Sequence, residues 1–477
     1  MLTKDLPMTN TSTTASPFNV PNVRMFIAFR IFFNARFYYP VFTILFLDFG
    51  LTMAQFALLN AIWAATIVMA EVPSGALADV LGRRKLIVGA GVIMVVEIAL
   101  LCFVPRGNPG LLFTVFAVNR VLSGLAEASA SGADEAIAYD ALKEAGLHTH
   151  WNRVIEMQMR LQSMAYIAAM TLGAAVYDPV FMQAAADGLG VDIVFTRAVT
   201  LRLPLYMTLA MAVLALFAAY QLKETGAGRD PSACGPLEGC GVSIREAFAM
   251  TLRAGRWILA TPFALVIIFA GFLFDSTVRM VITLSSQYYR VIQVPEALFG
   301  LIGGGIAVLG LIIPRLALRM STSRTPRFNL LVVAAITLAG LAGMALFIPR
   351  TGLVPAVVLF SAMYLTGFFV SHYLNHITDS VQRATVLSFK GLSYNLAYGM
   401  IGLLYSLLVA RTRPEVVAQF PVADSQLIEN LVFKNTFIWF PGAFVIGLAI
   451  FFWFAARRLE GTDQYRRTTL DSGKELS

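Results

Sequence analysis

The chain has 477 residues, of which 58% are hydrophobic and 13% charged, with a mean hydropathy of +0.72 and a formal net charge of +8. Soluble domains carry roughly 25% charged residues, so most of these side chains must face lipid or each other, and no soluble domain is left in which to build an enzyme. The positive balance is therefore expected in loops on one side of a membrane, not on a nucleic-acid-binding face.

Residues 1–22 are polar and rich in Thr, Ser, Asn and Pro; without the basic start and short apolar core of a secretory signal, they read as a disordered cytoplasmic tail. A helix needs about 20 apolar residues to cross the hydrocarbon layer. By that rule twelve spans follow: 23–48, 54–78, 86–104, 111–138, 157–179, 199–221, 257–289, 297–319, 328–348, 353–378, 386–410 and 432–456. An even count returns the chain to its starting face. With that face inside, inner cations outnumber outer ones about twofold, which predicts a multi-pass protein of the cytoplasmic (inner) membrane with both termini cytoplasmic.

The longest internal link, 222–256, carries Gly226, Gly228, Pro231, Gly235, Pro236 and Gly239. Ser243 and Glu246 match a capping box, predicting an amphipathic helix over 243–254 on the cytoplasmic surface. The link separates a six-span bundle, 23–221, from a second, 257–456, which is followed by a cytoplasmic tail, 457–477. A shift of 243 residues lays Phe56-Ala57-Leu58-Leu59 on Phe299-Gly300-Leu301-Ile302 and Arg36 on Arg279; a shift of 230 lays Asn152-Arg153 on Gln382-Arg383 and Arg160 on Lys390. Two such repeats place a substrate site near the midplane between them. Cys102, Cys234 and Cys240 give no disulfide framework.

Between spans two and three stands Gly75-Ala76-Leu77-Ala78-Asp79-Val80-Leu81-Gly82-Arg83-Arg84-Lys85. So short a link turns back at one membrane face, its three cations mark that face as inner, and its glycines permit the tight turn. The stretch resembles the signature loop of the major facilitator superfamily, Gly-x-Leu-x-Asp-x-x-Gly-Arg-Arg/Lys. The resemblance implies an all-α polytopic membrane protein, with twelve transmembrane helices in two pseudo-symmetric six-helix bundles. It implies a secondary transporter that moves a small solute by alternating access, coupled to protons or a counter-solute. Neither a cofactor nor a nucleic acid is expected; the partners are the solute and the lipid bilayer, and the working unit is a monomer. No phosphate-binding Walker loop follows a strand, so ATP is not the energy source.

Arg120-Val121-Leu122-Ser123-Gly124 on span four resembles a second superfamily motif, tied to proton coupling in drug exporters. The glycine-proline pattern of antiporters is degraded on span five, which reads Gly173-Ala174-Ala175-Val176-Tyr177-Asp178-Pro179. Asp140 and Arg153, and in the second half Asp379 and Arg383, occupy similar places. With Gly75, Asp79, Gly82, Arg83 and Arg84 they resemble the superfamily's cytoplasmic charge network, which helps latch the outward-open state. Ion pairs at a seam form in one state and break in the other; solvated interfacial charges are the structural alternative.

An ionisable group within a span costs several kcal/mol unless it faces a cavity or a partner. The candidate substrate contacts are Arg36, Tyr39, Arg120, Asp275, Arg279, Tyr394 and Asn395. On a continuous helix Phe32, Arg36, Tyr39 and Thr43 share one face, and the repeat pairs Arg36 and Thr43 with Arg279 and Ser286. Two readings stand for the arginines: a forked grip on an anion across the cavity, or local neutralisation of Arg279 by Asp275 four residues away. Glu127, Glu97 and Asp275 are proton-coupling candidates, with a structural Arg–Glu pair as the alternative. His372 and His376, four apart, read as polar packing, and no metal is expected. The preferred substrate is a small organic anion. A drug-like amphiphile exported against protons, and a non-transporting membrane scaffold or receptor, are the alternatives.

Overall fold

A computed structural model describes residues 16–225, 244–378 and 380–459, and the regular structure among them is helical throughout. The first half holds α1 (Pro21–Asn34), α2 (Phe42–Phe49), α3 (Met53–Leu81), α4 (Arg83–Phe103), α5 (Pro109–Ala130), α6 (Ala133–Glu144), α7 (Trp151–Tyr177), α8 (Pro179–Gly188), α9 (Arg197–Thr200) and α10 (Leu203–Gln221). The connecting α11 (Ile244–Ala260) leads to α12 (Pro262–Thr283), α13 (Ser285–Val291), α14 (Phe299–Ser323), α15 (Pro326–Met344), α16 (Leu353–Ile377), α17 (Ser380–Gln419), α18 (Ser425–Phe437) and α19 (Trp439–Leu459). Several helices start as sequence rules require. Thr52 and Gln55 form a reciprocal capping box at α3, and Asn108 and Thr325 cap helices whose first residue is proline.

Ten helical stretches are long and apolar enough to cross a membrane, and α7 with α8, bent by 86°, makes an eleventh. The twelfth expected span, 23–48, is broken into α1 and α2. Pro40 lacks a donor and its ring crowds the carbonyl four residues back, so no α-helix runs through 35–41, where a single 3-10 turn, Tyr39–Val41, stands instead. The exposed backbone is repaired by neighbours: Phe37 N donates to Thr208 Oγ1 at 3.0 Å. Gly173 meets the Phe37 carbonyl so closely that a Cβ there would lie 1.8 Å from its oxygen. Arg36 and Tyr39 therefore sit in an interruption, and the single-face reading of Phe32, Arg36, Tyr39 and Thr43 is corrected. Span seven is interrupted too, at Leu284, and begins at Pro262 because residues 257–260 belong to α11. Span four parts at Gly132, whose φ of +78° suits glycine.

The halves meet along two helix pairs. Gly399 and Gly402 of α17 lie against Ala64 and Ala61 of α3, while Gly300 of α14 takes the Met170 carbonyl of α7, where a Cβ would fall 2.0 Å from the oxygen. Small residues allow this close backbone approach within a membrane. We call the face that carries Pro21 and Leu459 the near face and the opposite one the far face. The tails 1–15 and 460–477, residues 226–243 with Cys234, Cys240 and Ser243, and Asp379 lie outside the described residues.

Candidate functional site

Two polar clusters flank the seam at mid-depth. In the first half, Arg36 is buried and its Nη1 donates to Glu97 Oε1 at 2.7 Å and to the Tyr38 hydroxyl at 3.3 Å. Asn119 Nδ2 donates to the other Glu97 oxygen at 3.0 Å, and Asn119 Oδ1 accepts from Arg120 Nε and Nη2 at 3.0 and 2.7 Å. Arg120 lies against the rings of Phe42 and Phe46, 5.3 and 5.4 Å from their centroids. Tyr39 and Glu127 are exposed at the edge of this cluster, with Glu127 in electrostatic range of Arg36 and Tyr39 and without an ion pair among the described residues.

In the second half, Arg279 Nη2 pairs with Asp275 at 2.6 Å and its Nη1 donates to Asn395 Oδ1 at 3.0 Å. Its guanidinium also lies 5.7 Å from the Tyr398 ring centroid. Lys390 donates to Ser371 Oγ at 2.9 Å and approaches the Tyr394 ring, and the Tyr394 hydroxyl is buried without a hydrogen-bond partner. The clusters meet at the seam, where the Trp63 and Tyr398 rings touch edge-on at 6.2 Å.

This geometry corrects two expectations. Arg36 and Arg279 do not converge in a fork; each is neutralised by a carboxylate of its own half, Glu97 and Asp275. Glu97 accepts from Arg36 on one oxygen and from Asn119 on the other. Arg120, also expected to touch substrate, is buried beneath Phe42 and Phe46. Tyr39, Arg279, Tyr394, Asn395 and Glu127 remain beside the seam. His372 stacks on Phe368 and His376, with centroids 5.8 and 6.4 Å apart, and among the described residues no group of three metal-ligating side chains gathers.

At the near face the signature loop is anchored by a residue that the sequence reading missed. Gly82, at a φ of +92°, turns the chain so that the Arg83 and Arg84 amides donate to the Glu224 carboxylate at 3.2 and 3.0 Å. Arg83 pairs with Asp140, and Arg84 Nε donates to the Leu222 carbonyl at 2.6 Å. All these partners belong to the first half or to the segment that leaves it. Arg153 lies over the Phe18 ring, 5.8 Å from its centroid, and Gly75 is exposed near the end of α3. The side chains of Asp79 and Arg383 are outside those described.

The far face carries a network that the sequence reading did not single out. Arg290 donates to both Asp48 oxygens at 2.7 Å and to Glu296 at 2.7 Å, and Arg197 reaches Glu296 at 2.6 Å. Tyr177 donates to Asp48 at 2.6 Å, and Asp178 accepts from the Ala297 amide at 3.1 Å. The network crosses the seam three times, because Asp48, Asp178 and Arg197 belong to one half and Arg290, Glu296 and Ala297 to the other. Thr43 adds hydrogen bonds to Ser286 Oγ and to the Thr283 carbonyl, at 3.0 and 2.6 Å. Farther along, the Met53 amide donates to Glu429 at 2.9 Å. A signal was available: Arg197 and Arg290 are outer-loop cations, the minority against the topology rule.

The model of the Major Facilitator Superfamily matches residues 24–403. The chain belongs to the major facilitator superfamily. A bacterial homologue of the human lysosomal transporter Spinster, in an inward-facing and unoccupied conformation, superposes with a TM-score of 0.70 at 16% identity, covering 94% of this chain and 99% of that one. The nucleoside transporter NupG gives 0.65 at 13% identity over 92% and 99%, and a D-xylose-proton symporter 0.60 at 12% over 89% and 97%. Identities this low speak for the fold, which is that of superfamily secondary transporters. No curated protein matches the chain.

Proposed function

We propose that this superfamily member moves a small organic anion across the cytoplasmic membrane by alternating access, with Glu127 carrying a coupled proton. In this reading residues 23–221 and 257–456 rock about the seam as two bodies, both termini are cytoplasmic, and the monomer is the working unit. One observation carries the substrate class. In the second cluster two cations, Arg279 and Lys390, share one carboxylate, Asp275, and Arg279 occupies it. A substrate carboxylate or phosphate beside Lys390 restores the balance. The Asn395 amide nitrogen adds a donor, and hydrogen bonds to charged groups are worth about 1.5–3 kcal/mol each. Glu127 stands apart, exposed on the facing half, where a carboxylate meeting water in one state and a closed cavity in the other takes up and releases a proton. That one structural neighbour is by name a proton symporter supports the same coupling.

The exposed carboxylate of Glu127 also favours a second reading, export of a cationic amphiphile. Counterflow in proteoliposomes, with small carboxylates, phosphate esters and cationic drugs as solutes, separates the two. The anion reading expects exchange reduced at least about tenfold by Lys390→Gln, the loss of one charge-assisted hydrogen bond. It expects Glu127→Gln to keep exchange and lose proton-driven accumulation. Drug efflux that survives Lys390→Gln and is lost in Glu127→Gln replaces the anion reading with the second.

A further inference from the structure

Span five does not end at the membrane surface. After Tyr177 the chain turns through 86° into α8. Pro179 holds Asp178 in extended backbone, φ −80° and ψ 111°, and Asp178 Oδ1 caps the new helix by accepting from the Val180 amide at 2.9 Å and the Phe181 amide at 3.4 Å. Because α7 crosses the bilayer, a helix at nearly a right angle to it runs along the membrane plane at the far face. The chain then folds back on α8. Gln183 accepts from the Phe195 amide at 2.9 Å and donates to Asp187 at 2.8 Å.

The compact unit leaves a large apolar surface open. Val180 is 77% exposed, Leu189 80% and Val194 74%, and Phe181 and Ile193 are about half exposed. Within α8 the exposed apolar positions 180, 181, 184 and 185 fall on one side of the helix, with the exposed carboxylate of Asp187 at its edge. That surface continues from exposed apolar residues of the span before it, among them Leu172. A short helix lying in the membrane plane with one apolar side has the form of an interfacial element, whose apolar side enters the boundary between headgroups and acyl chains. We infer that α8 and the turn after it are seated in the far leaflet of the bilayer, and that lipid packing there biases closure of the far face.

α8 is tied directly to the other half. The carboxylate that caps it has another oxygen, and Asp178 Oδ2 accepts from Ala297 of the other half. Arg197, at the first position of α9, grips Glu296, the neighbour of Ala297. Both ends of the interfacial segment therefore hold the start of span eight, and lifting the segment from the lipid pulls on the seam.

Nitroxide labels on Phe181→Cys and Leu189→Cys, in reconstituted protein with Cys234 and Cys240 replaced by serine, test the location. Collision with oxygen should exceed collision with a water-soluble nickel chelate at both sites, and the reverse should hold at the exposed far-face control Ser425→Cys. Nickel-dominated collision at 181 and 189 would place the segment in water; exclusion of both reagents would mean a protein cover. Either overturns the inference. For the coupling, Val180→Asp with Phe181→Asp should raise the reactivity of the buried Ser286→Cys toward an impermeant maleimide several-fold, and the increment should vanish in an Asp178→Ala, Arg197→Ala background. Unchanged reactivity in the aspartate pair would refute the link to the seam.

Discussion

The two ends of one seam are built differently. At the far face, charges reach across it: Arg290 to Asp48, Arg197 to Glu296, Asp178 to the Ala297 amide, Glu429 to the Met53 amide. At the near face the described ion pairs stay within the first half: Arg83 with Asp140, and Arg30 with Asp134 and Glu135 at 2.5 and 2.7 Å. Helix α7 shows the same contrast along its length. Met170 and Ile167 meet Gly300 and Gly304 of α14, whereas Met164, Arg160 and Met159, toward the near face, are exposed. The chain is thus stitched at one end of the seam. An interaction biases a two-state equilibrium only by the difference it makes between the states, so a pair whose partners ride on the same body is silent however well it matches a motif.

The largest effect is expected at Arg290. Its side chain is only 7% exposed and it hydrogen-bonds both Asp48 and Glu296, while the more exposed Arg197 reaches the same two carboxylates at 3.8 and 2.6 Å. Arg290→Ala leaves Asp48 and Glu296, both largely buried, with Arg197 as their one shared cation among the described residues, and breaking a buried pair by removing one partner costs about 3–5 kcal/mol. That is a population change of more than about a hundredfold, since 1.4 kcal/mol is a factor of about ten. Spin labels placed across the far-face seam should report a shift to longer distances. An unaltered distance distribution in Arg290→Ala would mean that the far-face network does not hold this state.

Glu429 makes a smaller crossing of the same kind. Its two oxygens serve different bodies, Oε1 accepting from Arg413 at 2.8 Å and Oε2 from the Met53 amide at the start of α3. Glu429→Gln preserves the shape, keeps one acceptor and removes the charge. The expected cost to the closed far face is about 1–3 kcal/mol, that of a compromised hydrogen bond to a buried charged group. The same labels should show a partial shift, smaller than that of Arg290→Ala.

Much of the fold was legible in the sequence, because apolar length and loop charge are local quantities. The boundaries that failed have local causes as well: Pro40 breaks span one, Gly132 parts span four, and Thr261-Pro262 moves the start of span seven. The site was less legible. That Asp275 lies one helical turn from Arg279 could be read from spacing, and the pair is formed. That Glu97 would claim Arg36 could not, since 61 residues separate them and a helical wheel drawn through Pro40 pointed Arg36 the wrong way. Glu224 was hidden for the same reason, 141 residues from the amide it caps. The far-face network was hidden by its chemistry. Each member is an ordinary loop or helix-end charge, and only the fold reveals that Asp48, Arg197, Arg290 and Glu296 meet.

The smallest effects belong to the near face. Glu224→Ala removes the acceptor from the first two amides of α4, and losing a cap of this kind costs about 0.5–2 kcal/mol. Arg83→Ala breaks a partly exposed pair with Asp140, worth about 1 kcal/mol or less. Both changes should lower the melting midpoint of the purified protein slightly, Glu224→Ala more than Arg83→Ala, and both should leave the far-face label distances unchanged, because every bond they remove lies within one body. The contrast is strict at Arg83, the most motif-like residue of the chain. If Arg83→Ala moved the distance populations as far as Arg290→Ala does, its guanidinium would have to gain a partner in the second half when the near face closes. The difference between the two ends of the seam would then belong to this state, not to the architecture.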